Sequence, residues 1–212
     1  MSRGPGSRRH APGERAALAD LLSEVGPDAP TLCDGWTTRD LAAHLVLRAS
    51  RADAVGGIAL PVLAPRLRRV QEGIARRPWE TLLAQVRRRP WWSPGPVDEA
   101  ANLTEYFVHH EDIRRAQPAW TPRPLPQDLA AAVWSGVRFR ARLVLRRTPA
   151  TVTVSAPGQG SRVAGRGGPA VAVSGEPGEL LLFLFGRQAH ARVELSGPEH
   201  IAARMRTARY GI

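Results

Sequence analysis

The sequence predicts a mainly α-helical fold: a helical bundle that includes short helices over residues 13–147, then a small α+β domain over 148–212. Three observations carry this expectation. Apolar residues recur at helical spacing in several segments up to Arg147. No segment before Thr148 alternates convincingly with period two. After Thr148-Pro149 the character changes, because Thr151-Val152-Thr153-Val154 alternates and is rich in β-branched residues, as a strand requires.

Residues 1–12 are basic and rich in glycine and proline, and are expected to form a flexible tail. The first helix is expected over Glu14–Val25, with Ala17, Leu18, Leu21, Leu22 and Val25 on one face and Gly26-Pro27 as the stop. Pro30 to Trp36 reads as a loop. Thr37-Thr38-Arg39-Asp40 has the form of a capping box, the Thr37 hydroxyl and Asp40 carboxylate satisfying amides of the first turn, and opens a second helix running to about Ala54. Gly56-Gly57 and Pro61 interrupt the chain. Residues 62–76 and 79–88 read as two shorter helices. Pro90 to Pro96, with Trp91 and Trp92 as possible walls of a cleft, is too proline-rich for regular structure. A long helix follows over 98–116 and another over 127–147. In the last segment, strands are expected at 151–154, 170–174 and 191–195, a short apolar helix near 176–185, a final helix at 198–209, and a glycine-rich hairpin connection around Gly158 to Gly168.

Composition excludes several classes. A hydrophobic fraction of 43% fits a globular chain. No apolar run reaches the roughly 20 residues of a membrane-spanning helix, and the basic start lacks the apolar stretch of a signal peptide. Cys33 is the sole cysteine, which excludes an internal disulfide and a cysteine-rich zinc module. A cytoplasmic location is expected. The net charge of +11 raises the possibility of nucleic-acid binding. Against that, all 30 basic residues are arginine, a bias typical of GC-rich genomes, and they are scattered with little aromatic interleaving.

The most informative residues are His44, Glu105 and His109. Glu105 and His109 lie one turn apart on a single helical face, so both can reach one ion, and His44 sits against the apolar stripe of Leu41 and Leu45 on another helix. Imidazole and carboxylate suit a borderline divalent ion such as zinc, and three protein ligands leave a position open. Asn102, Glu105, His109 and Asp112 form one polar stripe. Such a stripe also suits a solvent-facing surface; the inward His44 favours the metal site. Asp112 is placed to hold the second nitrogen of His109. Arg48 and Arg115 are possible partners for a substrate or cofactor carboxylate. His110 falls off the ligand face and is assigned a packing role. Cys33 has no evident partner base in the sequence.

The run from Cys33 through Trp36, Asp40 and His44 to Leu45 resembles the N-terminal signature of mycothiol-dependent maleylpyruvate isomerase-like proteins, part of the DinB-like superfamily of metal-binding four-helix bundles. Glu105 to Ala116 resembles the second signature, Glu-x-x-x-His-x-x-Asp followed by Arg-Ala. Within the family the chain most resembles a subgroup of metal-binding proteins without an established substrate, and its last segment is similar to a sterol-carrier-like domain. The resemblance implies that His44, Glu105 and His109 ligate zinc. It implies a mycothiol-dependent isomerase or S-transferase, in which the metal activates a thiol cosubstrate toward an electrophile. The sequence also admits a metal-binding or sensing module without turnover, and an arginine-rich nucleic-acid-binding protein.

Overall fold

The computed structural model describes residues 9–50, 64–90 and 95–210. The expected break at Gly56-Gly57 and Pro61, the end of the second helix beyond Ser50 and the Trp91-Trp92 pair lie outside the described residues. The fold is mainly helical with one four-stranded sheet near the C-terminus. The chain divides into two compact units, Met1–Trp120 and Thr121–Ile212.

In the first unit the described helices are α1 (Ala11–Val25), α2 (Thr38–Ser50), α3 (Ala64–Ala75), α4 (Trp79–Arg87) and α5 (Gly95–Arg114). α1 packs along α5 and touches α4, while α2 packs on α3 and α4. Leu18, Leu22, Leu41, Leu82, Phe107 and Ile113 are fully buried between them. α1 starts three residues before the expected Glu14. Glu99 Oε2, from α5, accepts the backbone N–H groups of His10 and Ala11, each at 2.8 Å. Pro12 sits in the first turn, where its missing N–H costs nothing. A cap supplied from 88 residues away leaves no local signal. At α2 the Asp40 carboxylate accepts both the N–H (3.0 Å) and the hydroxyl (2.9 Å) of Thr37. The Thr37 hydroxyl thus donates to Asp40 instead of accepting from an amide.

The second unit opens with α6 (Gln127–Val144), which tightens into a 3-10 turn over Leu145–Arg147. It continues through β1 (Thr151–Ala156), β2 (Gly160–Gly165), β3 (Ala170–Ser174), α7 (Pro177–Leu184), β4 (Glu194–Ser196) and α8 (Glu199–Thr207). The sheet order is β2-β1-β3-β4, with β1 and β3 parallel and the other pairs antiparallel. Every residue of α7 is buried, as an all-round apolar helix demands. Leu129, Val133, Trp134, Val137 and Ala141 form the buried face of α6, and α6 packs on α7. The second compact unit begins at Thr121 and so includes α6; periodicity shows that a helix has an apolar face, but not which partner covers it.

Where the sequence predicts only a glycine-rich connection, β2 is a strand in register with β1, from Thr151 opposite Gly165 to Ala156 opposite Gly160. Its glycines and polar residues hide it from propensity. Gly165 has φ +98°, and a Cβ there would lie 2.0 Å from the Ala150 carbonyl oxygen. Backbone cannot yield as a side chain would, so Gly165→Ala is expected to cost at least ~1–3 kcal/mol in urea unfolding. A cost near zero would contradict this pairing. Among the described residues no helix is long and apolar enough to cross a membrane.

Candidate metal centre

The polar stripe of α5 faces inward. Asn102 is 2% exposed, His109 8% and Asp112 0%. Buried polar groups require partners, and these form a ladder through the first unit. Arg15 donates to Asp98 (3.4 Å), and Asn102 donates to Asp98 (2.8 Å). Arg48 reaches Asn102 Oδ1 at 3.5 Å and Glu105 Oε2 at 3.7 Å. Glu105 Oε2 stands 3.5 Å from His109 Nε2, and His109 Nδ1 lies 2.9 Å from Asp112 Oδ2. Asp98, one turn before Asn102, extends the stripe by the same helical spacing, a signal present in the sequence.

His44 on α2 meets this ladder at its centre. Its ring packs edge-on to His109, centroids 5.3 Å apart, and lies 5.2 Å from the Trp36 ring. Gln71 on α3 hydrogen-bonds His44 and also donates to the Asp40 carbonyl at 3.3 Å, so two helices fix the imidazole. His44, Glu105 and His109 each present a ligand atom within 4.8 Å of the others. Two nitrogen or oxygen ligands on one tetrahedral zinc stand roughly 3.3–3.4 Å apart, from bonds of ~2.0–2.1 Å. The 3.5 Å between His109 Nε2 and Glu105 Oε2 is close to that, and at the outer limit of a hydrogen bond. The donor set fits a divalent ion.

Charge is balanced within the cluster. Burial first, then neighbouring His109, hold His44 down to about 3 against the pull of Glu105, so its ring is neutral with a lone pair to offer. Burial pushes Glu105 up, but its bond to His109 and the nearby Arg48 outweigh this and bring it to about 2. Burial alone would lower His109; hydrogen bonds to Asp112, Cys33 and Glu105 overcome it and raise the imidazole well above its ordinary value. Without metal, His109 is therefore an imidazolium between two carboxylates. An ion held at Nε2 would displace that proton. Metal affinity should accordingly rise with pH, by up to about tenfold per unit, and level off above the raised pKa of His109. Calorimetry across pH checks this; a flat profile would contradict it. The metal-free fold follows the opposite sign, stabilised by His109 at low pH and losing that contribution as pH rises through the raised pKa.

Asp112 sets which nitrogen faces the cluster: accepting from Nδ1–H leaves Nε2 directed to Glu105. If the cluster holds a divalent ion, Asp112→Asn is expected to weaken its binding ~10–100-fold while leaving the fold intact, read by chelator competition. Arg115 is engaged elsewhere. Its Nε donates to Glu111 Oε2 at 2.8 Å and its guanidinium lies 4.5 Å over the Trp120 ring. His110 turns to α1, its Nδ1 3.6 Å from Glu14 Oε2.

One neighbour is not signalled by the sequence. Cys33 Sγ donates to Asp112 Oδ2 at 3.3 Å and hydrogen-bonds His109, although Cys33 and Asp112 are 79 residues apart in the chain. Nothing in the loop composition marks this contact; only the fold brings that loop to the end of α5.

The first unit thus presents two imidazoles and a carboxylate around one point, in a mainly helical chain with a small mixed sheet near its C-terminus. No family model matches this chain, and no curated protein matches it. Two solved structures do match, each at 15% identity and over 88% of this chain and 90% of theirs. They are the crystal structure of the mycothiol-dependent maleylpyruvate isomerase, with a TM-score of 0.59, and that of a histidine-to-alanine mutant of it, at 0.60. At this identity the likeness shows the fold.

Proposed function

We propose that His44, Glu105 and His109 hold one divalent ion, zinc, and that the protein is a mycothiol-dependent isomerase or S-transferase. In this reading the first unit is a DinB-like metal-binding bundle and the second a sterol-carrier-like domain. The observation that carries it is the convergence of His44, Glu105 and His109 within 4.8 Å of one another on two helices. The shared fold with a mycothiol-dependent isomerase supports the choice of thiol and reaction class.

Three protein ligands leave a position for an exogenous group, and an ion held there favours the thiolate form of a small thiol at neutral pH. The chain's own groups prepare that position. Asp112 fixes the ring of His109, Gln71 fixes that of His44, and the Trp36 indole flanks His44. Arg48, 3.7 Å from Glu105, is the cation placed to meet an anionic group of the thiol or substrate. Arg115, held by Glu111 and Trp120, is not assigned that role. Arg15, Arg48, Arg115 and Arg140 are buried, which removes them from any basic surface.

Elemental analysis paired with mycothiol titration tests this reading. About one metal per chain is expected. Mycothiol should bind in its presence, lose binding on chelation, and support turnover across electrophiles that include maleylpyruvate. Metal without mycothiol binding or turnover would reduce the protein to a metal-binding or sensing module.

A further inference from the structure

A second donor set shares His109 with the first. Cys33, His109 and Asp112 form a group whose ligand atoms also lie within 4.8 Å of one another. Asp112 Oδ2 lies 3.3 Å from Cys33 Sγ and 2.9 Å from His109 Nδ1. Around a tetrahedral ion with a metal–sulfur bond of ~2.3 Å the sulfur–oxygen separation is roughly 3.6 Å, so the group opens by only a few tenths of an ångström.

Cys33 is held there by its backbone. The Leu32 N–H donates to the Asp112 carbonyl at 3.0 Å, tying the loop to α5 one residue before the thiol. Within the loop, Thr31 Oγ1 accepts the Cys33 N–H at 3.1 Å and donates to the Trp36 carbonyl at 2.9 Å, and the Trp36 N–H donates to the Cys33 carbonyl at 2.9 Å. Pro30 and Thr37 close the loop with an isolated bridge. A thiol on a loop anchored to the very residue that supplies the carboxylate is preorganised for a ligand.

We propose that Cys33, His109 and Asp112 form a second metal position, selective for thiophilic divalent ions and exclusive of the first. The selectivity follows from the donors: the first set offers only nitrogen and oxygen, whereas this one adds sulfur. The exclusivity follows from His109, whose neutral imidazole offers a lone pair at only one nitrogen: an ion at Nε2 leaves the proton on Nδ1, and an ion at Nδ1 leaves it on Nε2. Binding releases the thiol proton and the Nδ1 proton to solvent, with no change of oxidation state. The hydrogen bond between Asp112 and His109, which orients the ring in one state, becomes a pair of ligands in the other.

Cadmium alone is the probe, added to the purified full chain after a chelator has removed any metal already bound, and followed by ultraviolet thiolate-to-metal charge transfer. The band is expected in the wild type, in Glu105→Gln and in His44→Ala, and is expected to vanish in Cys33→Ser. Circular dichroism confirms that each variant is folded. Loss of the band in Glu105→Gln and His44→Ala would overturn the proposal, since the thiol would then act only with the first set. So would cadmium binding without a thiolate band in the wild type, or no cadmium binding at all. The zinc content of Cys33→Ser reports on the first set separately, so either position can fail alone.

Discussion

His109→Ala is expected to strip the protein of metal, zinc and cadmium alike, with a fall in affinity beyond the ~10–100-fold that loss of an outer partner costs. Its ring is the one group common to both donor sets, Nε2 facing Glu105 and Nδ1 facing Asp112 and Cys33. His44→Ala removes a ligand from the first set only and should spare cadmium. The change at His109 also costs stability, because the buried Asp112 loses its imidazolium partner while Glu105 keeps Arg48 within 3.7 Å, so circular dichroism accompanies the metal assay. Dialysis followed by elemental analysis reads the result. Undiminished zinc in His109→Ala would remove the centre from this place in the fold.

The largest effect on stability is expected away from the proposed metal centre, at Glu111. This carboxylate is fully buried, accepting from Arg114 at 2.7 Å and from Arg115 at 2.8 Å, and the Arg115 side chain is only 1% exposed. Deleting one partner of a buried ion pair leaves the other's charge in a poorly solvated place, which costs ~3–5 kcal/mol. Glu111→Ala should therefore lower the Tm by ~10 °C. Arg114→Ala, whose side chain is 25% exposed, should cost no more than ~1 kcal/mol. A Glu111→Ala cost as small as that of Arg114→Ala would show that the pair is not buried as described. Stacking of Arg115 on Trp120 makes the same network hold the segment after α5, so proteolysis near Gln117 should quicken in parallel.

Much of the helical unit and of the candidate site is legible in the sequence because helical spacing is a strong local signal. The one-turn interval between Glu105 and His109 and the three-residue step to Asp112 place those groups on one face by spacing alone. The direction of that face is not legible. It depends on partners in other segments: Asp98 and Arg15 at one end, Arg48 in the middle, Cys33 at the other. Long-range contacts also account for the other differences. Glu99 starts α1 early, and pairing with β1 makes a strand of Gly160–Gly165. Arg48 and Arg115 read alike as partners for a substrate or cofactor carboxylate, yet one faces Glu105 and the other is locked to Glu111.

Binding of one ion by His44, Glu105 and His109 is tested most directly with the competing thiol removed, by comparing the zinc content of Cys33→Ser with that of Cys33→Ser/His44→Ala. The first should retain about one zinc per chain and the second should retain almost none. Absence of zinc in Cys33→Ser, or its full retention in the double variant, would contradict the assignment.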